Sequence, residues 1–324
     1  MKHRATIPLF IPEMACPHRC VFCNQHFITG QMAAPTIAEV KQTIEKYLVT
    51  LKGIPHVEAG FFGGSFTGIP LAQQLAYLKV VEPYINEGKI HSIRLSTRPD
   101  YIDVEILDML KQHHVTTIEL GAQSLDDEVL QLSGRGHTAK DVAIASAMII
   151  HYGFDLGLQM MIGLPGDTAE KSLNTAKQIV ALGAHNTRIY PTLVVKDTEL
   201  AQMWQAGKYR ALTIDEAVDA TVEPYLVFER AGVEIVRVGL HPAEGFLNGE
   251  DLLAGPFHVS FRELVLTKIF ERSFQSLIKN SRSKNITIHV PASAINYAVG
   301  YKSNNRKMLE EKFENVNFRI MKEI

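Results

Sequence analysis

The chain has 324 residues, 46% of them apolar, so it is long enough to bury the core of one large α/β domain with an appendage, or of two domains. Its net charge of −2 and pI near 6.7 exclude the general attraction for nucleic acid that is typical of domains with a pI above about 9, but a local basic patch stays possible. No stretch approaches the ~20 apolar residues that span a bilayer, so we expect a cytoplasmic protein without membrane contact.

From the N-terminus to about residue 240, short apolar or β-branched runs alternate with stretches of helical period. The predicted strands are Ala5 to Ile11, Val57 to Phe62, Ser92 to Ser96, Thr116 to Gly121, Asp155 to Ile162, Asn186 to Val194 and Val233 to Val238. The predicted helices lie at about 36–51, 70–86, 103–113, 126–151, 168–182 and 214–231. This α/β alternation predicts parallel strands with right-handed helical crossovers. Because chemistry-bearing residues repeatedly follow the strands, we expect an incomplete (β/α) barrel, in which the C-terminal rim carries the active site.

After residue 240 the pattern changes, so we predict a core over residues 1–240 and a small α/β cap over residues 241–324. A long loop rich in Gly and Pro comes first. It is followed by a predicted helix at about 260–277, a strand at 286–290, a helix at about 304–313 and a strand at 316–320. The basic segment Lys279 to Lys284 is interpreted as a solvated turn, with RNA contact as the alternative.

All three cysteines lie within eight residues, as Cys16, Cys20 and Cys23. This spacing is typical of an iron–sulfur site with three thiolate ligands, and a cubane cluster ordinarily takes four, so one iron stays open to another ligand. A closed zinc site is an alternative with His18 or His26 as the fourth ligand, although no second cysteine pair follows downstream. Inert buried cysteines are a further alternative, whereas the odd count disfavours a disulfide framework.

Glycines and polar side chains follow the second, third and fourth predicted strands. Gly63 and Gly64 let the backbone approach a ligand closely, although an ordinary tight turn explains them as well. Alternation in the fourth strand places Glu119 and Gln123 on one face, where polar groups inside a barrel are costly unless they bind something. We therefore expect ligand contacts here; the alternative is a structural network of these residues with each other or with Arg98.

Three more residues are candidates at later positions. Arg135 is flanked by glycines and suits bidentate binding of a carboxylate, with a plain helix-boundary loop as the alternative. Gln159 lies on an otherwise apolar fifth strand and needs a partner; the strand ends in a Gly/Pro turn suited to a flat aromatic ring. Tyr190 closes the sixth strand, where it serves either packing or hydrogen bonding near a substrate.

These features together resemble the radical S-adenosylmethionine (SAM) superfamily over roughly residues 5–270. Within it, the sequence is similar to the catalytic subunit of the Elongator tRNA-modification complex and its bacterial relatives. The shared motifs are CxxxCxxC, Ser-Thr-Arg-Pro-Asp at 96–100, Glu-Leu-Gly-Ala-Gln-Ser at 119–124, Arg-Gly-His-Thr at 135–138 and Tyr-Pro-Thr-Leu-Val at 190–194, with Trp204, Gly207 and Tyr209. The resemblance implies a partial (β/α)6-type TIM barrel core with a small C-terminal α/β extension.

By the same resemblance, Cys16, Cys20 and Cys23 bind a [4Fe-4S] cluster, and the amino and carboxylate groups of SAM chelate its open iron. An external one-electron reductant such as flavodoxin or ferredoxin then drives cleavage of SAM to methionine and a 5'-deoxyadenosyl radical, which abstracts hydrogen from the substrate. Gly63, Gly64 and Ser65 would approach the methionine amino group of SAM, and Arg135 would bind its carboxylate. The polar strand residues Glu119, Gln123 and Gln159 would face the ribose, and Phe22 would pack near the adenine. The full implied set of cofactor-binding residues is Phe22, Gly63, Gly64, Ser65, Arg98, Glu119, Gln123, Arg135 and Gln159.

The sequence also departs from the Elongator subunit. The ~80 residues after 240 are too few for its acetyltransferase domain, and its extra zinc-binding cysteines and basic RNA-binding extension are missing, so we do not expect transfer of an acetyl-derived group to tRNA. In the C-terminal extension, His241, Glu244, His258 and Arg262 are candidate substrate contacts. Tyr190, His241 and His258 are the candidates for catalytic roles.

Three functions are therefore considered. We expect radical chemistry on an RNA base or another nucleotide-like substrate. A reaction like that of oxygen-independent coproporphyrinogen dehydrogenase is the alternative, since Phe22 before the last cysteine is compatible with it. A cluster-bearing electron-transfer or binding module is disfavoured, because an electron carrier has no need of an open iron.

Overall fold

The computed structural model describes residues 4–12, 20–24, 27 and 33–321. Its N-terminal part is a sheet of parallel strands, with one short antiparallel pair beside it. The strands in chain order are β1 (Arg4–Ile11), β2 (His56–Gly63), β3 (Ser92–Thr97), β4 (Val115–Gln123), β5 (Asp155–Ile162), β6 (Asn186–Pro191), β7 (Val194–Val195), β8 (Glu234–Val238) and β9 (Leu252–Ala254). The main sheet runs β1-β2-β3-β4-β5-β6-β8, and β7 pairs with β9. The prediction of a partial parallel barrel is therefore confirmed.

The sheet is curled, and its two outermost strands approach each other at their N-terminal ends. Arg4 on β1 has one guanidinium nitrogen 3.9 Å from a carboxylate oxygen of Glu234 on β8 and another 3.9 Å from Glu58 on β2. These pairs are long, and Arg4 is half-exposed, so they contribute little to stability. They do show that the half-barrel is narrow at the end opposite the rim.

The longer helices cover the outer face of the sheet: α1 (Ile37–Thr50), α2 (Leu71–Asn86), α3 (Val104–Gln112), α5 (Ala139–His151), α6 (Ala169–Ala181) and α8 (Ile214–Ala231). Two shorter helices, α4 (Asp127–Leu132) and α7 (Glu199–Gln205), pack against Cys20, Val21 and Phe22 instead. Thr36, Thr138 and Thr213 each begin a helix with a capping box, which satisfies two otherwise unpaired amides. The predicted helix over 126–151 is in fact the two helices α4 and α5, because Gly134 and Gly136 between them adopt left-handed φ angles of 63° and 73°.

The core lies between the sheet and these helices. Strand residues such as Ile7, Ile93, Ile118 and Leu156 are completely buried there, each worth about 1.5–3 kcal/mol on folding. The opposite face of the sheet lines the inside of the half-barrel, and there Glu119 and other polar residues are buried instead. The two faces thus follow the period-2 alternation of the strands.

The C-terminal part forms a second, smaller layer. It contains α9 (Glu244–Leu247), α10 (Phe261–Asn280), β10 (Asn285–Val290), α11 (Ile295–Val299), α12 (Asn304–Glu310) and β11 (Asn315–Ile320), with β10 and β11 parallel. Phe274, Ile288, Leu309 and Phe313 form a separate hydrophobic cluster there. The helix α10 also pairs with the barrel, since Arg272 lies 3.1 Å from both Asp219 and Glu223 of α8. The predicted boundary at residue 240 stays a prediction.

Among the helices of the described residues, none has the length and apolar character needed to cross a membrane.

Candidate functional site

A cleft opens at the C-terminal ends of the parallel strands. It contains about 550 Å³ of empty space, part of which is open solvent. Most of the lining residues come from the cysteine segment and from β2, β3, β4 and β5 or the turns after them, and Arg135 comes from the loop after α4. They are Cys20, Phe22, Cys23, Gly63, Gly64, Ser65, Ser96, Thr97, Arg98, Gly121, Gln123, Arg135 and Gln159.

The cysteine segment is held against the barrel by backbone hydrogen bonds. The Val21 amide donates to the Ser133 carbonyl at 3.1 Å, and the Leu200 amide donates to the Val21 carbonyl at 2.7 Å. A turn closed by the Cys23 amide on the Cys20 carbonyl, at 3.0 Å, brings both cysteines to the cleft. The predicted third ligand, Cys16, lies outside the described residues.

Arg135 places a positive charge beside the cysteines. One terminal guanidinium nitrogen lies 3.2 Å from Cys20 Sγ, and the other donates to the Gly121 carbonyl at 2.6 Å. Arg98 in turn donates to the Arg135 carbonyl at 2.6 Å, and it forms a bidentate pair with Asp100 at 2.9 and 3.0 Å. A buried cation next to the sulfur suits an anionic thiolate, the form in which cysteine binds metal.

The turn after β2 brings backbone to the cleft wall. Gly63 adopts a φ angle of 107°, and a β-carbon added there would lie 2.7 Å from the Ile11 carbonyl oxygen. The next amide, that of Gly64, donates to this same carbonyl at 2.7 Å. Glycine at position 63 is therefore required both by conformation and by the close approach of β1.

A β-bulge shapes β4 at the cleft. Leu120 pairs with Leu158 and Gln123 with Met160, so two β4 residues stand opposite Gln159 alone. Gln123 itself has a left-handed φ angle of 67°, and its buried Oε1 has no hydrogen-bond partner among the described residues. Such a strained residue with an orphaned acceptor is typical of ligand sites.

Glu119 lies inside the half-barrel but not on the cleft wall. Its carboxylate accepts from Arg94 at 3.0 Å, from Arg188 at 2.6 and 3.0 Å, and from Gln159 at 2.9 Å. Burial alone would raise the pKa of Glu119, but the ion pairs with Arg188 and Arg94 and the Gln159 hydrogen bond lower it overall. Glu119 is thus an ionised anchor, and its direct contact with a ribose stays a prediction.

Gln159 connects this anchor to the cleft. Its amide nitrogen donates to Glu119 and, at 3.2 Å, to the Ser96 hydroxyl, while the side chain lines the cleft. Gln159 thus finds the partners that the sequence analysis expected on β4 and, one strand further, on β3, and these two hydrogen bonds fix the orientation of the amide.

The three predicted catalytic residues lie elsewhere. Tyr190 stands beside Arg188, which packs over Phe62 at 4.9 Å, and burial raises the pKa of Tyr190. His241 is exposed, and His258 packs edge-on against Tyr301 in the C-terminal part. None of the three belongs to the cleft lining, so their catalytic roles stay predictions.

The sequence analysis did not single out Ser96, Thr97 or Gly121 as lining residues, or Arg94 and Arg188 as partners of Glu119. The first two stand at the end of β3, where the barrel argument itself places functional residues. The arginines gave no local signal, because they lie 25 and 69 residues from Glu119 along the chain.

Comparison with known families agrees with this geometry. The model of the radical SAM superfamily matches residues 12–179, and that of the radical SAM C-terminal domain matches residues 184–271. The chain therefore belongs to the radical SAM superfamily.

Its relatives include Elongator-like proteins. A tRNA uridine(34) acetyltransferase of Dehalococcoides mccartyi is 27% identical, over 72% of this chain and 59% of that protein. The heme chaperone HemW of Bacillus subtilis is 28% identical, over 60% of this chain and 52% of that protein. The structure of an archaeal Elp3 from Methanocaldococcus infernus superposes with a TM-score of 0.67 at 19% identity, over 84% of this chain and 64% of that one. The chain thus spans between half and two thirds of these proteins.

Proposed function

We propose that this protein holds a [4Fe-4S] cluster on Cys16, Cys20 and Cys23, binds SAM in the adjoining cleft, and uses the pair to modify tRNA or a nucleotide-like substrate. The observation that supports this most directly is the cleft itself. It brings Cys20 and Cys23 together with Gln123 and Arg135, each of which has a buried polar atom without a hydrogen-bond partner among the described residues.

The described residues fit such a ligand. Within the part of the chain that the structure describes, Gln123 Oε1 and Arg135 Nε are buried without partners, so they offer one acceptor and one donor to a bound molecule. Asn24 Oδ1, next to Cys23, likewise has no partner from the described residues. Gly63 and Gly64 line this part of the wall with backbone instead of side chains. A zwitterionic ligand with an amine, a carboxylate and ribose hydroxyls can satisfy these groups.

A bound cluster and SAM would supply radical chemistry to this site, and the protein would supply orientation. Arg135 holds positive charge beside Cys20 and the predicted carboxylate position. Gln159 is kept in one orientation by Glu119 and Ser96, so it can position a ribose without rearranging. Phe22, buried beside Cys23, shields the site from water.

The substrate part of the proposal is supported by the relatives named tRNA uridine(34) acetyltransferase. The proposal does not include the acetyl transfer that the name of these relatives describes. The similarity to a heme chaperone keeps a porphyrin-related substrate as the second candidate. A cytoplasmic flavodoxin or ferredoxin is the proposed electron donor.

The test begins with anaerobic reconstitution of the full chain with iron and sulfide. SAM and dithionite are then added, and 5'-deoxyadenosine is measured. We expect about four irons and four sulfides per chain and steady formation of the nucleoside. A confirmed cluster that forms no 5'-deoxyadenosine would favour the electron-transfer module instead.

Replacement of one ligand is the first prediction. Cys20→Ala should leave the barrel folded, with native far-UV circular dichroism, but remove the visible absorption of the cluster. The exposed Lys41→Asp variant, on α1, serves as the control and should retain both signals. Wild-type iron and sulfide in Cys20→Ala would contradict the ligand assignment.

A further inference from the structure

The small C-terminal layer has a defined topology. The strand β10 is followed by two short helices, α11 and α12, and then by β11, which pairs in parallel beside β10. The helix α10 packs against this unit, and Phe274 from α10 joins its hydrophobic cluster. The unit is thus a βααβ element fused to the barrel through one long helix.

The two short helices are joined by the loop Gly300–Ser303, of sequence Gly-Tyr-Lys-Ser. Three of its four residues have left-handed φ angles: 88° at Gly300, 51° at Lys302 and 63° at Ser303. At a non-glycine residue this conformation is uncommon, and it clusters at ligand clamps. At Gly300 a β-carbon would also lie 2.8 Å from the Asn305 amide nitrogen, so only glycine fits there.

The loop is fixed from below. The buried side chain of Asn305 donates to the Thr267 carbonyl on α10 at 3.0 Å. The Tyr301 amide donates to the Thr267 hydroxyl at 2.9 Å, and the Tyr301 ring packs edge-on against His258 at 5.3 Å. The backbone of the loop is therefore held against α10 and against the segment that leaves the barrel.

Charge is divided unevenly along the chain. Residues 281–324 contain eight Lys or Arg and four Glu, a net charge of +4, whereas the whole chain has −2, so residues 1–280 carry −6. Within the basic unit, Glu314 is already paired with Lys284 at 2.6 Å. Lys302 at the loop tip is exposed and lies over the Tyr301 ring, without an acidic partner among the described residues.

We propose that the Gly300–Ser303 loop is a binding site for the backbone of single-stranded RNA. Modules of the KH type bind RNA with a Gly-x-x-Gly loop between two helices, which clamps the backbone of four nucleotides. Here the loop begins with the required glycine, and Ser303 adopts the left-handed conformation at the fourth position. Lys302 supplies the charge for a phosphate.

This inference extends the proposed function, because it gives the enzyme a site for RNA outside the cleft. The net charge of +4 on residues 281–324, in a chain of net charge −2, makes the C-terminal unit the more favourable part of the chain for a polyanion. The basic segment Lys279 to Lys284, interpreted from the sequence as a turn, leads into this unit.

The test measures binding of a fluorescent, unstructured RNA octamer by anisotropy at several salt concentrations. Full-length protein is used, both before and after cluster reconstitution. We expect binding of the RNA, and Lys302→Asp should weaken it at least about tenfold and lower the salt slope by about 1. Aspartate tolerates left-handed φ, so the variant should keep its melting temperature. Lys302→Arg should bind nearly as wild type does.

Lys41→Asp, the same charge change at an exposed position on the barrel, should bind the octamer within twofold of wild type. Equal weakening by both aspartate variants, or no binding of the octamer at low salt, would overturn the inference. The inference would also be overturned if the protein bound an acidic flavodoxin through Lys302 but did not bind RNA. If RNA binds but no 5'-deoxyadenosine forms, the proposed function alone fails; the reverse result contradicts this inference alone.

Discussion

Glu119 illustrates how one buried carboxylate organises the inside of the half-barrel. It is 0% exposed and joins three strands through Arg94, Arg188 and Gln159. Removal of a buried partner costs more than the pair contributes, because the remaining charges stay buried without compensation. The cleft side chain that depends on it is Gln159, so stability and ligand orientation are coupled at this residue.

Glu119→Gln should therefore lower the free energy of unfolding by about 3 kcal/mol, measured by urea denaturation. Glu314→Gln is the matched control: it breaks the exposed pair with Lys284 and should cost less than about 1 kcal/mol. Similar losses in the two variants would show that the Glu119 network is not a stabilising centre.

A second prediction at this scale concerns His137, which is buried between the cleft arginines. Burial, helped by the charges of Arg135 and Arg98, lowers its pKa to about 3. The unfolded chain binds this proton near pH 6.5 and the folded chain does not, so stability from this group is present above pH 6.5 and falls as the pH drops toward 3.

Relative to His137→Gln, the wild-type protein should lose up to about 1.4 kcal/mol of unfolding free energy for each pH unit below 6.5. Urea denaturation at pH 7.5, 6 and 5 measures the difference. Parallel pH profiles for the two proteins, or an NMR titration of His137 near pH 6.5, would contradict the neutral buried form.

At the scale of elements, the rim is formed by strand ends that approach too closely for side chains. β2 ends at Gly63 against the carbonyl of Ile11, the last residue of β1. β4 carries its bulge at the same rim. The segment of Cys20 to Cys23 then lies across α7 and the loop after α4, through hydrogen bonds to Leu200 and Ser133. Backbone geometry, more than any one side chain, thus forms the cleft.

Gly63→Ala tests this view. Gly53 provides the matched control, because it also has a left-handed φ angle, 83°, but nothing lies within 4 Å of an added β-carbon there. Gly53→Ala should cost about 1–2 kcal/mol from backbone strain alone. Gly63→Ala should cost clearly more and should reduce the iron bound after reconstitution, as measured by urea denaturation and iron assay. Equal losses of unfolding free energy in the two variants would show that the close approach of Ile11 does not exclude a side chain at position 63.

At the scale of the molecule, the sequence predicted the main architecture because long elements repeat a clear period. All seven main strands lie close to their predicted positions, and so do the predicted helices, except that residues 126–151 form two helices. Eight of the nine proposed cofactor-binding residues line one cleft, together with Cys20 and Cys23. Shorter elements escaped prediction, since β7, β9 and α11 have only two to five residues, too few to show a period.

The partners within the site were harder to predict than its members. Glu119 was expected to face a ligand, but its partners come from β3, β5 and β6 and meet it only after the sheet curls. Leu200 binds the cysteine segment through a backbone hydrogen bond, and the identity of a side chain does not predict such a contact. Local periodicity thus specifies elements, whereas long-range pairing decides which polar groups remain available.

The bulge in β4 has a further consequence. Gly121 and Ala122 together face the single residue Gln159, so β4 has one residue more than β5 over this stretch. The extra residue comes directly before Gln123, at the rim. The shape of this part of the cleft therefore depends on the number of residues in β4. Deletion of Ala122 would remove this extra residue, so that Gly121 alone would stand opposite Gln159 and the bulge would be lost.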